Sequence, residues 1–308
     1  MINIIKITEY DSTDLDVYAR DTERELSHHF EPDGGLFIAE SPKIIERALD
    51  AGCEPVSMLL EPKYLPSQNL TPGPCFGAYI AANADSATLA AAAANDAERI
   101  RMKAILSRID LAHNIPVYTA DLSILMKIIG YKLTNGALCA MRRPVLPSLD
   151  QMLKFNFISR MAVLCNIENP ANVGAIFRNA AALGMDAVAI TRDSADPLYR
   201  RAIRVSMGTV FQIPWTYIDD IAELKHYGFE LAAMALDEDS ININDRSLCS
   251  EEKLAVILGN EGEGLPAADL AKCGRTVMIP MSHEVDSLNV AAASAVAFWE
   301  LCRRRHSE

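Results

Sequence analysis

Three polar segments in the second half of the chain hold the residues best suited to chemistry, and each follows an apolar run. The first is NIENPANVGAIFRNAAALG (residues 166–184), whose apolar residues recur at helical spacing. Asn172 falls in the first turn of that helix, and Arg178 lies off its apolar face. Such an asparagine commonly satisfies a helix start and such an arginine is commonly solvated, so these interpretations stay open beside a functional one.

The second segment, LGNEGEGLP (residues 258–266), combines glycines with acidic side chains. Glycine lets the backbone approach a ligand closely or take a positive φ. The glycine spacing differs from that of a dinucleotide-binding fingerprint. Glu261 and Glu263 would repel a pyrophosphate but tolerate a cationic or hydroxyl-rich ligand. A glycine-rich turn with exposed acids is the alternative interpretation.

The third segment, IPMSHEVDSLNVAAASAVAFWE (residues 279–300), is a polar loop followed by a helix that is apolar on nearly all sides, which predicts a buried helix. Its start needs caps, and capping alone explains Asp286, Ser287 and Asn289. A buried helix start beside a glycine loop is equally a suitable ligand site. His283 has no ligand-type partner at a metal-binding spacing, so we expect no metal.

The elements around these segments predict an α/β protein. From residue 161 onward strands alternate with helices, which indicates a mostly parallel sheet covered on both faces. Ligands of such sheets bind at the carboxyl ends of the strands. A similar alternation over residues 36–141 predicts a smaller domain, with Ser41-Pro42 in N-cap and N1 order and an alanine-rich helix over residues 87–106.

The proline-containing segment RRPVLPSLDQMLKFN (residues 142–156) shows no sustained period and predicts a linker. We therefore expect a first domain over residues 1–143, a linker over 144–158 and a second domain over 159–308.

Composition excludes several classes of protein. No run approaches the roughly 18 apolar residues of a membrane span, and the start MINIIKITEYDSTD lacks a signal-peptide pattern. The seven cysteines are scattered without a CxxC pair, which favours small core residues in a reducing, cytoplasmic compartment. A net charge of −12 opposes nucleic-acid binding by the molecule as a whole, but a local basic patch suffices for phosphate contacts.

Taken together, the three segments resemble the motifs of the SpoU/TrmH family of SPOUT-class RNA methyltransferases. These motifs read Asn-Pro-x-Asn-x-Gly…Arg-Asn-Ala, Leu-Gly-Asn-Glu-Gly-x-Gly-Leu and Ile-Pro-Met…Ser-Leu-Asn-Val, and DPLYRRAIRVSMG (residues 196–208) resembles the family's arginine-bearing segment. The resemblance covers residues 160–301. Asn169 stands where aspartate is frequent. The first half more loosely resembles a substrate-binding domain related to RNA-binding ribosomal proteins, with Glu40-Ser41 where the family commonly has Glu-Gly.

The resemblance implies a deep trefoil knot in the second domain, a homodimer formed through it, and S-adenosylmethionine as cofactor. The implied reaction is methyl transfer to a ribose 2′-hydroxyl of structured RNA. The two-domain layout favours ribosomal RNA over transfer RNA. The implied cofactor-binding residues are Gly259, Asn260, Gly264, Ile279, Leu288, Ala235 and Leu236. The implied catalytic residues are Asn172, Arg178, Glu261, Ser287 and Asn289. The candidate RNA contacts are Arg192, Arg200, Arg201 and Arg204, with further basic clusters at Arg142–Arg143 and Arg303–Arg305.

Within the catalytic group, Arg178 is expected to face the ribose, and Glu261 to fix Arg178 or the glycine loop. Asn172 and Ser287 would orient the hydroxyl and its phosphate, while Asn289 would hold the loop. One alternative is a non-catalytic RNA-binding or assembly protein that retains the cofactor pocket. The presence of every motif residue favours the enzyme. A nucleotide-binding oxidoreductase is disfavoured because a proper glycine fingerprint is missing.

Overall fold

A computed structural model describes residues 3–8, 13–30, 34–65, 86–112, 114–129, 136–237, 239–283 and 286–302. The chain divides into two compact units, residues 1–143 and 144–308. Cys75, the proline-rich stretch near residues 66–74 and the Arg303–Arg305 cluster lie outside the described residues. Among the described residues, no helix combines the length and apolar character needed to cross a bilayer.

The first unit is built on a five-stranded sheet of order β1-β4-β3-β5-β2, in which β5 runs antiparallel to both of its neighbours. Its strands are β1 Asn3–Lys6, β2 Leu36–Glu40, β3 Pro55–Leu60, β4 Pro116–Thr119 and β5 Ala137–Arg142. Its helices are α1 Asp16–Ala19, α2 Glu23–Ser27, α3 Pro42–Asp50, α4 Ser86–Ala112 and α5 Leu122–Ile129, with 3-10 turns at Thr13–Leu15 and Pro62–Tyr64. The apolar stripe of α3 packs inward, with Ile44, Ile45 and Ala48 buried.

The second unit is built on a seven-stranded parallel sheet of order β10-β12-β9-β11-β6-β7-β8. Its strands are β6 Arg160–Leu164, β7 Ala187–Thr191, β8 Trp215–Ile218, β9 Glu230–Met234, β10 Ile241–Asn242, β11 Leu254–Leu258 and β12 Arg275–Met278. Its helices are α6 Leu149–Phe155, α7 Pro170–Ala182, α8 Arg200–Val205, α9 Arg246–Ser250, α10 Ala267–Leu270 and α11 Val290–Leu301, with 3-10 helices at Thr209–Phe211 and Ile221–Tyr227.

The predicted linker is wrong over most of its length. Residues 149–155 form α6, which starts with a capping box between Ser148 and Gln151. Leu149 and Met152 are buried in the core of the second unit. The segment therefore folds as part of that unit, and its two prolines precede the helix.

Helix α11 is not buried on all sides as its composition predicts. Val296 is 40% exposed and Trp299 is 53% exposed, whereas Ala297 and Phe298 are fully buried. The helix packs against α7 and β11 with one face only. In α7, likewise, the apolar spacing does not bury every alanine, because Ala181 is exposed.

The strand-to-helix turn at Ser41 departs from the predicted cap. Helix α3 starts at Pro42 as expected, but the Ser41 side chain accepts no hydrogen bond from the helix. Ser41 instead has φ 92° and ψ 148°, a backbone conformation that glycine adopts and that a β-carbon strains.

Replacing Ser41 by glycine should therefore stabilise the first unit. Relief of the strain stabilises the folded state, whereas the greater freedom of glycine in the unfolded chain offsets part of that gain. The net change should raise the free energy of unfolding by about 1 kcal/mol. Urea unfolding of Ser41→Gly measures this change. Ser41→Ala is the control, because it keeps the β-carbon and should stay within about 0.5 kcal/mol of the wild type. A Ser41→Gly protein no more stable than wild type would contradict the strain.

Candidate functional site

A cavity of about 400 Å³ opens at the carboxyl edge of the second sheet. Strands β12, β9 and β11 are neighbours and all run in the same direction, so their ends meet there. The residues at or after those ends form its wall, together with the loop before α11 and the inner face of the first turn of that helix. A site at this edge is what a parallel sheet predicts.

The loop after β11 is held in a tight hairpin by its backbone. The amide of Asn260 donates to the carbonyl of Gly264 (3.0 Å), and the amide of Gly264 donates back to the carbonyl of Asn260 (3.1 Å). Gly264 has φ 70°, which favours glycine. A β-carbon on Gly259 would come within 2.7 Å of the Gly264 carbonyl carbon and the Leu265 nitrogen, so only glycine fits there.

The side chain of Asn260 shapes the same loop from the inside. Its Oδ1 accepts hydrogen bonds from the backbone amides of Gly262 (2.8 Å) and Glu263 (3.1 Å). Its Nδ2 donates to the carbonyl of Asn166 (3.0 Å), just past the end of β6. The side-chain amide of Asn260 is thus occupied in fixing the loop against the neighbouring strand end.

One hydrogen-bonded chain joins all three polar segments. Asn172 Nδ2 donates to Glu261 Oε1 (2.7 Å), and Asn289 Nδ2 donates to Asn172 Oδ1 (3.3 Å). The interpretation of Asn172 as a helix cap is wrong, because Asn169 caps α7 by accepting from the amide of Ala171 (2.9 Å). The three segments therefore meet at one rim of the cavity, where Glu261 is also part of the wall.

The start of α11 uses only one of the three candidate caps. Asn289 Oδ1 accepts from the amide of Ala291 (3.0 Å). Asp286 and Ser287 lie in the exposed loop before the helix, and both line the cavity. Their polar groups are therefore presented to the cavity and form no cap with the described residues.

The structure brings together all of the predicted cofactor residues. The cavity wall contains Ala235, Leu236, Gly259, Asn260, Gly264, Ile279 and Leu288. Sequence reasoning missed much of the remaining apolar wall. The missed residues are Met234, Leu258, Leu265, Leu270, Val277, Met278, Met281, Val290 and Ala293. Several are the last residues of their strands, which is the signal that would have found them.

Arg178 stands apart from the cavity wall. Its side chain is exposed on α7 and forms no hydrogen bond or ion pair within the described part of the chain. Glu261 bonds Asn172 and forms no ion pair with Arg178 within the described residues, while the alternative that it fixes the glycine loop agrees with its position. Arg178 is thus left open to a ligand outside the cavity.

The cavity carries negative charge. Glu261, Glu263 and Asp286 line it, and the described residues of the wall include no arginine, lysine or histidine. An acidic wall favours a cationic ligand over an anionic one. The nearby thiol of Cys165 is buried, and this burial raises its pKa, so it stays protonated and is no nucleophile.

The candidate RNA-binding arginines lie on the surface of the second unit, and none lines the cavity. Arg192 Nε forms an exposed ion pair with Asp219 (2.7 Å), and its guanidinium lies 5.4 Å from the ring centre of Tyr217. Arg201 and Arg204 are exposed on α8, whereas Arg200 is half-buried. The structure describes no group of histidine, cysteine, aspartate or glutamate side chains suited to a metal ion.

Solved structures share this fold. An AdoMet-bound rRNA methyltransferase from Sinorhizobium meliloti aligns over 98% of both chains with a TM-score of 0.73 at 17% identity. The SpoU methyltransferase AviRb from Streptomyces viridochromogenes, in complex with AdoMet, aligns over 96% of this chain and 100% of its own with a TM-score of 0.67 at 17% identity.

Sequence relatives make the assignment more specific. An uncharacterized tRNA/rRNA methyltransferase of Mycobacterium bovis is 41% identical over 62% of this chain and 67% of its own. A 23S rRNA (guanosine-2′-O-)-methyltransferase of Acinetobacter baylyi is 32% identical over 62% of this chain and 79% of its own. The model of the SpoU rRNA Methylase family matches residues 159–299. The chain belongs to the SpoU rRNA methylase family.

Replacing Asn260 by aspartate should loosen the glycine loop. The new carboxylate can still accept from Gly262 and Glu263, but it loses the donor to Asn166 and faces that carbonyl with a negative charge. We expect the free energy of unfolding of the second unit to fall by about 1–2 kcal/mol in urea titrations. Glu263→Gln is the matched control in the same loop and should change it by less than about 0.5 kcal/mol. Equal stability of Asn260→Asp and wild type would contradict this role.

Proposed function

We propose that the protein transfers a methyl group from S-adenosylmethionine to a ribose 2′-hydroxyl of structured RNA. The observation that carries this proposal is the chain of hydrogen bonds Glu261–Asn172–Asn289, which brings three motif segments to one rim of a strand-end cavity. Membership in the SpoU rRNA methylase family supports the class of reaction.

The cavity fits S-adenosylmethionine in size, polarity and charge. Its volume of about 400 Å³ lies in the range of small-molecule sites. Apolar side chains such as Leu258, Ile279 and Leu288 suit the faces of an adenine. Glu261, Glu263 and Asp286 suit a ligand that carries a sulfonium and an ammonium. When bound, the cofactor supplies an electrophilic methyl group.

The chain's own residues then have to position the ribose and remove its proton. They would have to place the 2′-oxygen in line with the methyl group of the bound cofactor and give the hydroxyl proton an acceptor. The positively charged Arg178, exposed on α7, would stabilise the negative charge that develops on the oxygen. With a pKa above about 12 an arginine is a poor base, so an RNA phosphate or a water accepts the proton. Asn172 and Ser287 orient the hydroxyl and the adjoining phosphate, and Asn289 holds the loop.

We propose the trefoil knot and a homodimer for the second unit. Strand β9 lies between β11 and β12, and the chain after β12 returns to pack α11 against α7 and β11. This path supports the knot. The exposed apolar side chains Val296 and Trp299 on α11 support a pairing face, because water contact with such groups is unfavourable.

We propose residues 1–143 as the RNA-binding domain and ribosomal RNA as the substrate. The fold match over the whole chain to an rRNA methyltransferase, and the rRNA relative, support this choice over transfer RNA. The exposed Arg201 and Arg204 would add phosphate contacts. The thiols of Cys53, Cys139 and Cys165 are buried and form no disulfide, which supports a reducing location, and we propose the cytoplasm. Mapping of 2′-O-methyl sites in cells with and without the gene tests the choice of RNA.

Gly259→Ala should abolish cofactor binding without unfolding the protein. The added β-carbon would lie 2.7 Å from backbone atoms of the loop and push the hairpin into the cavity. We expect the affinity for S-adenosylmethionine, measured by calorimetry, to fall at least about 30-fold. Gly262→Ala is the matched control. Its β-carbon meets nothing closer than Asn260 Oδ1 at 3.6 Å, so its affinity should stay within about threefold. Normal binding by Gly259→Ala would count against the site.

Arg178→Ala should stop methyl transfer while cofactor binding persists. Loss of the stabilising charge should lower the single-turnover rate with bulk RNA about 10³-fold and change the calorimetric affinity for S-adenosylmethionine less than about twofold. Arg246→Ala, an exposed arginine outside the cavity wall, is the control. Full activity of Arg178→Ala would contradict the proposed role of Arg178 in stabilising the developing charge. A wild-type protein that binds cofactor and RNA but transfers no methyl group would favour the non-catalytic alternative.

A further inference from the structure

The side chain of Asn179 joins two helices that both lead to the active site. Its Nδ2 donates to the carbonyl of Ala291 (2.8 Å) and to the hydroxyl of Ser294 (2.9 Å). Ser294 is fully buried, and its hydroxyl donates in turn to the carbonyl of Ala291 (2.7 Å). The contact thus links α7 to the first turn of α11 across a span of more than a hundred residues.

Both ends of this link carry proposed functional groups. On α7, Asn179 directly follows Arg178 and lies two helical turns after Asn172, on the same face as that residue. On α11, the first turn presents Val290 and Ala293 to the cavity and Ala291 and Ser294 to α7. A shift of this turn would move the cavity wall and the Asn289 contact together.

We propose that Asn179 is a positioning residue, which sets the start of α11 against α7 and so holds Arg178 in register with the Ser287–Leu288 loop. The proposal rests on the proposed function. Asn179 touches neither the cavity nor any group proposed to react. Its position requires a donor, because one nitrogen with two hydrogens faces two oxygens. An aspartate of the same shape would face the Ala291 carbonyl with a negative charge, and it could accept from the Ser294 hydroxyl only if that hydroxyl gave up its bond to Ala291.

Asn179→Asp tests this role through two readouts, the kcat of methyl transfer to RNA and the hydrogen–deuterium exchange of the amides of residues 287–293. We expect kcat at saturating substrates to fall about 20-fold and exchange in that segment to rise about fivefold. The matched control is Ile218→Val, which thins the core at β8, the edge strand of the sheet far from the cavity strands. It should lower the melting temperature while both readouts stay within about twofold of wild type.

Values of kcat and exchange for Asn179→Asp that match wild type would overturn the proposal, as would an equal loss of kcat in Ile218→Val. If Asn179→Asp fails to fold, Ser294→Ala decides. It removes one of the two acceptors and should lower kcat about fivefold with faster exchange, whereas unchanged values would overturn the role. If the wild type transfers no methyl group to RNA, the proposed function fails, and the exchange comparison alone still decides on Asn179.

Discussion

The side-chain amide of Asn172 is the group on which the geometry of the site depends. It donates to Glu261 and accepts from Asn289, residues that lie 89 and 117 positions further along the chain. These bonds are exposed to water, so each contributes only about 1 kcal/mol and they cannot assemble the site by themselves. The buried parallel strands, the tight hairpin at Gly259 and the packing of α11 on α7 must bring the partners within reach.

Much of this arrangement could be predicted from the sequence, because it follows from strong local signals. The apolar runs ending at residues 164 and 258 predict two parallel strands. The polar residues that follow these strands are therefore expected at the same carboxyl edge of the sheet. Spacing could not reveal the partners of Asn172, since a first-turn asparagine can equally cap its own helix. The helix is capped by Asn169, and only the structure distinguishes a capping role of Asn172 from its contacts with the other two segments.

The wrong predictions have physical causes as well. The two prolines of segment 142–156 and its lack of a sustained period predict an irregular linker. The short helix that forms there is stabilised by burial of Leu149 and Met152, which a short apolar pattern does not reveal. Strand β8 could not be predicted from its residues, because it follows Pro214 and its four residues are too few to show an alternating pattern. Ser41 sits in a conformation that its side chain disfavours, and no propensity argument predicts that. The exposure of Trp299 depends on which surfaces α11 meets, which composition cannot specify.

Negative and positive charges lie on different parts of the second unit. The net charge of −12 and the acidic cavity suit a cationic methyl donor, whereas Arg178, Arg201 and Arg204 stand exposed on the surface of the same unit. A polyanion would therefore be attracted only locally, and its binding should depend on few phosphate contacts.

The central claim is that distant stretches of the chain form one pocket for the cofactor. Hydrogen–deuterium exchange of the wild-type protein with and without S-adenosylhomocysteine tests it most directly. We expect slower exchange in the segments that contribute to the cavity wall, residues 234–236, 258–265, 277–281 and 286–290, and little change elsewhere. Absence of protection, or protection confined to the separate hollow around Asp245 and Arg275, would contradict a single pocket closed by three distant stretches of chain.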